Sequence, residues 1–358
     1  MATPVLPAWL SFKPRTSGHG GELRSSQIHE LVEQCGFSCD LVDSSKKFSK
    51  YQLWIEGIKL LAIGRSKSFP TTANNPGLLG WQFLTTREHL RKQKTIRLFL
   101  WEDTNTWVPA WTAKTLGYSV VALPQNLESL TTGDPSPSKW KDELAALRLA
   151  DEVFCISSEE VWLLANYKIR SKFLPYWPSK KRQQILFDLR TQREKRMPSE
   201  SAPIVILGTA HNPPTRRGME EALDWLRHCN LKQPVHVVGY GTETLKSNWR
   251  DLPGKIIGAV NEDTLIEILS ECRLLICHQA FGSGALTRIA EAQLSGIPVL
   301  ANTIAARGTQ HLKDLYVYST PEELDKLLQK HIPTPKPPDS PNLYWETFNQ
   351  TLKSMSSC

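Results

Sequence analysis

The sequence predicts an α/β protein of two domains, each a parallel sheet flanked by helices. Three observations predict it. The chain has 358 residues, enough for two domains, at roughly 150 residues each. Short apolar runs alternate with segments of helical spacing, the grammar of parallel sheets covered on both faces. Midway, the linker Met197–Pro203 breaks the alternation and a fresh apolar run starts at Ile204.

In chain order, residues 4–10 form the first strand, since the N-terminus lacks the basic start of a signal peptide. A helix follows over Ser25–Cys35, then strands at Phe37–Val42, Ile96–Trp101 and Val120–Leu123. Lys139–Leu149 is helical and Val153–Ile156 is a strand; Pro175–Arg196 is basic and partly helical. The second half gives strands at Ile204–Leu207, Val235–Val238, Lys255–Ile257, Leu274–Cys277 and Ile297–Ala301. Its helices are Gly218–His228, Asp263–Cys272 and Leu286–Leu294. A proline-rich linker, Ile332–Pro341, leads to a last helix over Tyr344–Met355. The expected divisions are 1–197, 203–331 and 332–358. Such sheets bind ligands at the carboxyl ends of their strands.

Hydrophobic residues are 40% and charged residues 22%, which excludes a disordered basic chain. Charge is uneven: Met1–Ala202 carries 28 basic and 20 acidic residues, Pro203–Cys358 carries 15 and 16. The two halves are therefore expected to face different partners, or one partner to lie only on the first half. No run reaches the roughly 18 apolar residues of a membrane span. The seven cysteines are sparse and form no C-x-x-C. They read as small buried hydrophobes in a reducing compartment. The expected location is the cytoplasm, including the inner face of a membrane.

The most informative segment is Gln279–Leu300, read as strand end, glycine loop, helix, turn and strand. Gly282 and Gly284 let backbone approach a ligand closely. The helix that follows aims free N–H groups at it, which favours a phosphate. Arg288 sits in the first turn, and Glu291 lies three residues on, near the same face. A carboxylate there can accept two ribose hydroxyls. A plain i,i+3 ion pair on a buried helix is the bland alternative.

G-x-x-T-R-I-x-E-A-x-x-S-G-I-P-V-L-A, with Gly308 beyond it, resembles the donor-binding signature of group 1 glycosyltransferases. Pro203–Gly218, Val235–Gly241 and Ile256–Val260 resemble that family's preceding elements. In the first half, His19–Arg24 resembles its first glycine loop and Leu149–Ser157 its A-D-x-V-x-x-x-S strand. Tyr344–Glu346 resembles the closing helix.

The resemblance implies the GT-B fold, two facing Rossmann-like domains with a cleft between them and a C-terminal helix crossing back to the first. It implies metal-independent transfer of a sugar, with retention, from a UDP- or GDP-sugar on the second domain to an acceptor on the first. Nucleotide-sugar epimerisation and a non-catalytic nucleotide-sugar-binding member are the alternatives. Carried over by position, Glu291 binds the ribose and Arg217 stabilises the leaving diphosphate. Gly284, Ala285, Leu286 and Thr287 offer N–H groups, Arg288 and Gly239 border the donor, and Gly20 and Gly21 border the diphosphate from across the cleft. Two positions depart from the pattern. Ser283 stands where the family has its first glutamate, and Thr209 where it often has arginine, with Arg216 as the nearby substitute.

Other signals are weaker. His211 and His278 follow strand ends and are candidate donor contacts. Asp103, with Glu102, lies at a strand's carboxyl end and is a candidate acceptor base, or a loop cap. Nine of the 12 tryptophans precede residue 202. Trp101, Trp107 and Trp111 suit sugar stacking or core packing. The basic runs Arg87–Arg97 and Lys180–Arg196 read as solvated faces, or as contacts to an anionic membrane surface or to an acidic or lipid-linked acceptor; carbohydrate and protein acceptors fit equally. They match no nucleic-acid recognition motif. Neither a D-x-D nor an H-x-x-x-H spacing occurs, so neither a metal nor another cofactor is expected.

Overall fold

Every strand in the computed structural model runs parallel to its neighbours. The structure describes residues 3–357 apart from 16, 44, 68, 70–74, 94–95, 132–135 and 249–251. Lys94 of the first basic run and Cys358 therefore lie outside the described residues.

The first sheet has the order β2-β1-β3-β4-β5-β6. Its strands are β1 (Val5–Trp9), β2 (Ser38–Leu41), β3 (Leu98–Trp101), β4 (Ser119–Ala122), β5 (Glu152–Cys155) and β6 (Ser171–Phe173). Its helices are α1 (Gly20–Gln34), α2 (Lys50–Lys67), α3 (Pro76–Lys92), α4 (Trp107–Thr115), α5 (Pro137–Leu147) and α6 (Ser158–Asn166), followed by α7 (Lys180–Arg196). The second sheet has the order β12-β11-β10-β7-β8-β9. Its strands are β7 (Ile204–Leu207), β8 (Val235–Val238), β9 (Gly254–Gly258), β10 (Leu274–Cys277), β11 (Val299–Asn302) and β12 (Leu315–Tyr318). Its helices are α8 (Pro213–His228), α9 (Glu262–Glu271), α10 (Thr287–Leu294) and α11 (Pro321–Leu328); α12 (Asn342–Ser356) closes the chain.

The central strands are apolar throughout because helices cover both faces; β3 and β10 are buried at every position. Each sheet reverses its winding once, between β1 and β3 and between β7 and β10. The loops at these reversals open a crevice at the carboxyl edge.

Two connections fasten the domains. Helix α12 returns to the first, where Phe348 and Leu352 are fully buried beside Leu6, Ile28 and Phe154. The Phe348 and Phe154 rings meet edge to face at 5.0 Å. Helix α7 packs against the second. Leu186 and Leu189 enter its core. Arg190 donates to the carbonyls of Leu294, Gln293 and Pro335, and Arg193 to those of Cys272 and Gly296. These guanidinium groups cap the carbonyl ends of α10 and α9. The run Lys180–Arg196 is thus no uniformly solvated face: Arg190 and Arg193 are buried because helix ends need donors, while Arg196 and the lysines stay exposed. Packing places it with residues 203–331. Among the described residues no helix is long and apolar enough to cross a membrane.

Helices α2 and α3 form a hairpin held by glycine. A Cβ on Gly57 would lie 1.7 Å from the Pro76 carbonyl oxygen, and one on Gly80 2.0 Å from that of Leu53. A mid-helix Gly→Ala change ordinarily gains about 1 kcal/mol. Here overpacking reverses the sign. Gly57→Ala is expected to lower unfolding stability by about 1–3 kcal/mol in urea titration; a stabilised variant contradicts this packing.

Candidate functional site: an interdomain cleft

A cleft of about 820 Å³ opens between the carboxyl edges of the two sheets. The first domain contributes Phe12, residues 17–21, Arg24 and the loop after β4, which includes Gln125, Asn126 and Glu128. The second contributes Thr209, Gly239, Val260, Gln279, residues 285–288 and Arg307.

Local sequence explains these positions. His19 caps α1: its ring accepts the Gly21 N–H at 3.2 Å, while Glu22 accepts the His19 N–H at 3.2 Å. That turn brings Gly20 against Thr287 of the other domain; a Cβ there would stand 3.0 Å from the Thr287 hydroxyl. Buried Glu102 accepts the Ser11 N–H, the Ser25 hydroxyl and the Gln125 amide, joining the loops after β1 and β4. Its carboxyl pKa is raised by burial. Gly239 has φ +134°, and a Cβ on it would reach within 1.9 Å of the Gly208 oxygen, so two turns of the second domain touch backbone to backbone.

Besides Arg182, three guanidinium groups border the cleft. Arg307 donates to Gln279 Oε1 at 2.6 Å and to the Ser283 carbonyl at 2.7 Å. Burial lowers its pKa to about 10, so it stays charged at neutral pH. Arg24, 1% exposed, donates to Gln27 at 2.6 Å, and burial likewise lowers its pKa to about 10. Arg288 lies in the first turn of α10. One nitrogen or more of each is buried without a hydrogen-bond partner, which costs free energy until an acceptor arrives.

The domains also bond directly. Ser283 Oγ donates to the Leu127 carbonyl and accepts the Leu127 N–H, both at 2.9 Å. Glu160 Oε1 accepts the N–H groups of Leu127 at 3.0 Å and Gly284 at 2.8 Å. Glu159 accepts the Gly308 N–H at 3.1 Å.

No family model matches the chain, and no curated protein matches it. Solved structures do. Trehalose 6-phosphate synthase from Burkholderia multivorans superposes with TM-score 0.67 at 10% identity, covering 100% of this chain and 98% of that one. A glycosyltransferase from Rickettsia africae gives 0.65 at 14%, covering 99% of each chain. Sucrose-phosphate synthase from Thermosynechococcus elongatus gives 0.62 at 14%, covering 98% and 94%. The chain has the GT-B fold.

Within this GT-B cleft the structure brings together Gly20, Gly21, Gly239, Ser283, Ala285, Leu286, Thr287 and Arg288. Gly284 is buried beside them, its N–H already taken by Glu160. The remaining candidates lie elsewhere. Arg217 is exposed and borders a shallow hollow of about 410 Å³ with Glu220, Glu221 and Phe281. Gly218 sets that direction: a Cβ there would lie 2.2 Å from the His278 oxygen, so α8 turns its neighbour outward. Arg216 is held by Glu220 at 3.0 Å and Thr244 at 2.8 Å. Glu291 is buried against Arg182, which donates to both carboxylate oxygens at 3.1 and 2.8 Å, and it accepts the Tyr176 hydroxyl at 2.8 Å. Arg182 stands between it and the cleft. Burial works against that cation, and Glu291 more than offsets it, so the Arg182 pKa is raised.

His278 packs on Trp225 and meets the Tyr318 hydroxyl at 2.9 Å, away from the cleft. His211 is exposed, edge-on to Tyr240. Asp103 serves its own turn: its carbonyl accepts the Trp101 indole at 2.9 Å and its carboxylate the Thr106 hydroxyl at 3.3 Å. Trp101 and Trp107 are core residues, and Trp111 packs against that core. Sequence reasoning missed Arg24, Gln125, Arg182, Glu160 and Arg307. A polar residue four places after Gly20, on an otherwise apolar helix face, was the available signal for Arg24. Arg307 gave none, since it meets Gln279 only through the fold.

Burial raises the Glu160 pKa from 4.5 to about 7. Between those values the folded protein keeps a proton that the unfolded chain has released. This group therefore makes stability fall as pH rises from 4.5 to 7. Glu160→Gln retains an acceptor for both N–H groups and is expected to flatten the melting-temperature profile over that range. An unchanged slope contradicts the assignment.

Proposed function

We propose that this protein transfers a glycosyl group from a nucleoside-diphosphate sugar to an acceptor, as a group 1 glycosyltransferase. The observation that supports it is the convergence, in one cleft, of the start of α10, the Arg288 and Arg307 guanidinium groups and the Gly20–Gly21 turn of the opposite domain. As the glycosidic bond breaks, negative charge grows on the departing diphosphate. Fixed cations and N–H dipoles at that point stabilise the transition state more than the ground state. Anabaena HepE, solved in complex with UDP-glucose, has the same fold with TM-score 0.55 at 13% identity, which supports a UDP-sugar as the first donor to try.

Residue roles differ from those the resemblance implies. Arg288 and Arg307 take the place given to Arg217. Glu291 acts through Arg182 as a positioning residue: it fixes the guanidinium that borders the cleft beside Glu262. Ser283 binds the opposite domain in place of a donor sugar. The anomeric configuration of the product, read by NMR, tests retention.

Epimerisation is the second reading, since the UDP-GlcNAc 2-epimerase of Methanocaldococcus jannaschii has the same fold, with TM-score 0.53. Release of free nucleoside diphosphate only when an acceptor is present separates transfer from it.

UDP or GDP is expected to raise the melting temperature, because a ligand of the native state adds apparent stability. Arg288→Ala is expected to abolish that rise and to lower kcat/KM about 10²–10³-fold. Arg217→Ala should leave both nearly unchanged. A large loss at Arg217 with none at Arg288 overturns the roles assigned here.

A further inference from the structure

Helix α2 carries an apolar stripe that nothing among the described residues covers. Tyr51, Trp54 and Ile58 are 75%, 55% and 56% exposed. Their spacing of three and four residues puts them on one face. The opposite face cannot exchange with it, because Gly57 and Gly80 lock α2 onto α3. Gly64 rests on Trp107, the first residue of α4 after strand β3, so the second half of α2 lies at the carboxyl edge of the first sheet, where the cleft opens.

Cations surround the stripe. Between residues 45 and 67 there are six basic residues, Lys46, Lys47, Lys50, Lys59, Arg65 and Lys67, and one acidic residue, Glu56. Lys59 neutralises Glu56 at 2.9 Å and Lys46 pairs with Glu88 of α3, which leaves Lys47, Lys50, Arg65 and Lys67 as the cations facing outward. A helix lying flat with aromatic and aliphatic groups on its outer face and cations beside them matches the interface of an anionic bilayer. A second copy of the chain fits poorly, since a twofold contact through this face would press like charges together.

We propose that α2 seats the first domain on an anionic lipid bilayer, with Tyr51, Trp54 and Ile58 entering the headgroup boundary and the flanking lysines meeting lipid phosphates. This moves the membrane contact away from Lys180–Arg196, where Arg190 and Arg193 are buried against the second domain, and it stands apart from the transfer reaction above.

Flotation of the full chain with phosphatidylcholine vesicles, with and without phosphatidylglycerol, tests it. The wild type is expected to float only with the anionic vesicles. Trp54→Glu with Ile58→Glu should lower that binding at least about tenfold, and Lys47→Gln or Lys50→Gln about fivefold each. These positions are exposed, so melting temperatures should not change. Three results overturn the proposal: no binding to anionic vesicles, equal binding by the lysine variants and the wild type, or a dimer in light scattering that the double glutamate variant dissociates.

Discussion

Contact between the domains depends on carboxylates of one seated on backbone N–H groups of the other. Glu160 holds Gly284 and Glu159 holds Gly308. Glycine is needed at Gly284, where φ is +74° and a Cβ would fall 2.1 Å from the Asn126 side chain. The contact fixes the height of the cleft. It also decides which groups remain for a substrate. With the Gly284 N–H engaged, the first turn of α10 and the guanidinium groups of Arg288 and Arg307 are what the second domain presents.

The same closeness explains the unusual electrostatics. Four arginines border the cleft, and Glu102 and Glu160 are buried behind its wall, bonded to Gln125 and Gly284. Low solvent access raises the pKa of both carboxyl groups and lowers those of Arg24 and Arg307. A site of this kind is rich in fixed dipoles and cations. Under the proposed function, these preorganised donors take the place of a diphosphate's hydration. Arg182 extends this network: Glu291 and Glu262 hold it from two sides, tying α7 to the second domain and to the cleft wall.

Much of the fold was legible because buried parallel strands are written as uninterrupted apolar runs; Leu274–Cys277 could be little else. Edge strands were harder. Ser171–Phe173 has three half-buried residues, and Leu315–Tyr318 exposes Val317, so neither carries a strong pattern. The position of the glycine loop and Arg288 at the cleft was legible because it follows from the local strand, loop and helix order. Arg217 lies outside the cleft for a tertiary reason: the close packing of Gly218 on residues 278–279 rotates it outward, and no local pattern encodes that contact. For Glu291 the sequence offers a ribose or Arg288 as partner; the partner in the fold, Arg182, lies 109 residues away in a run that looks merely basic.

The most direct measurement is a crystal structure of the protein grown with UDP or GDP. The account predicts the diphosphate in the interdomain cleft, with its oxygens in hydrogen-bond reach of the Arg288 guanidinium and the first N–H groups of α10. A nucleotide bound in the outer hollow beside Arg217, or a cleft that stays empty at saturating nucleotide, would contradict it.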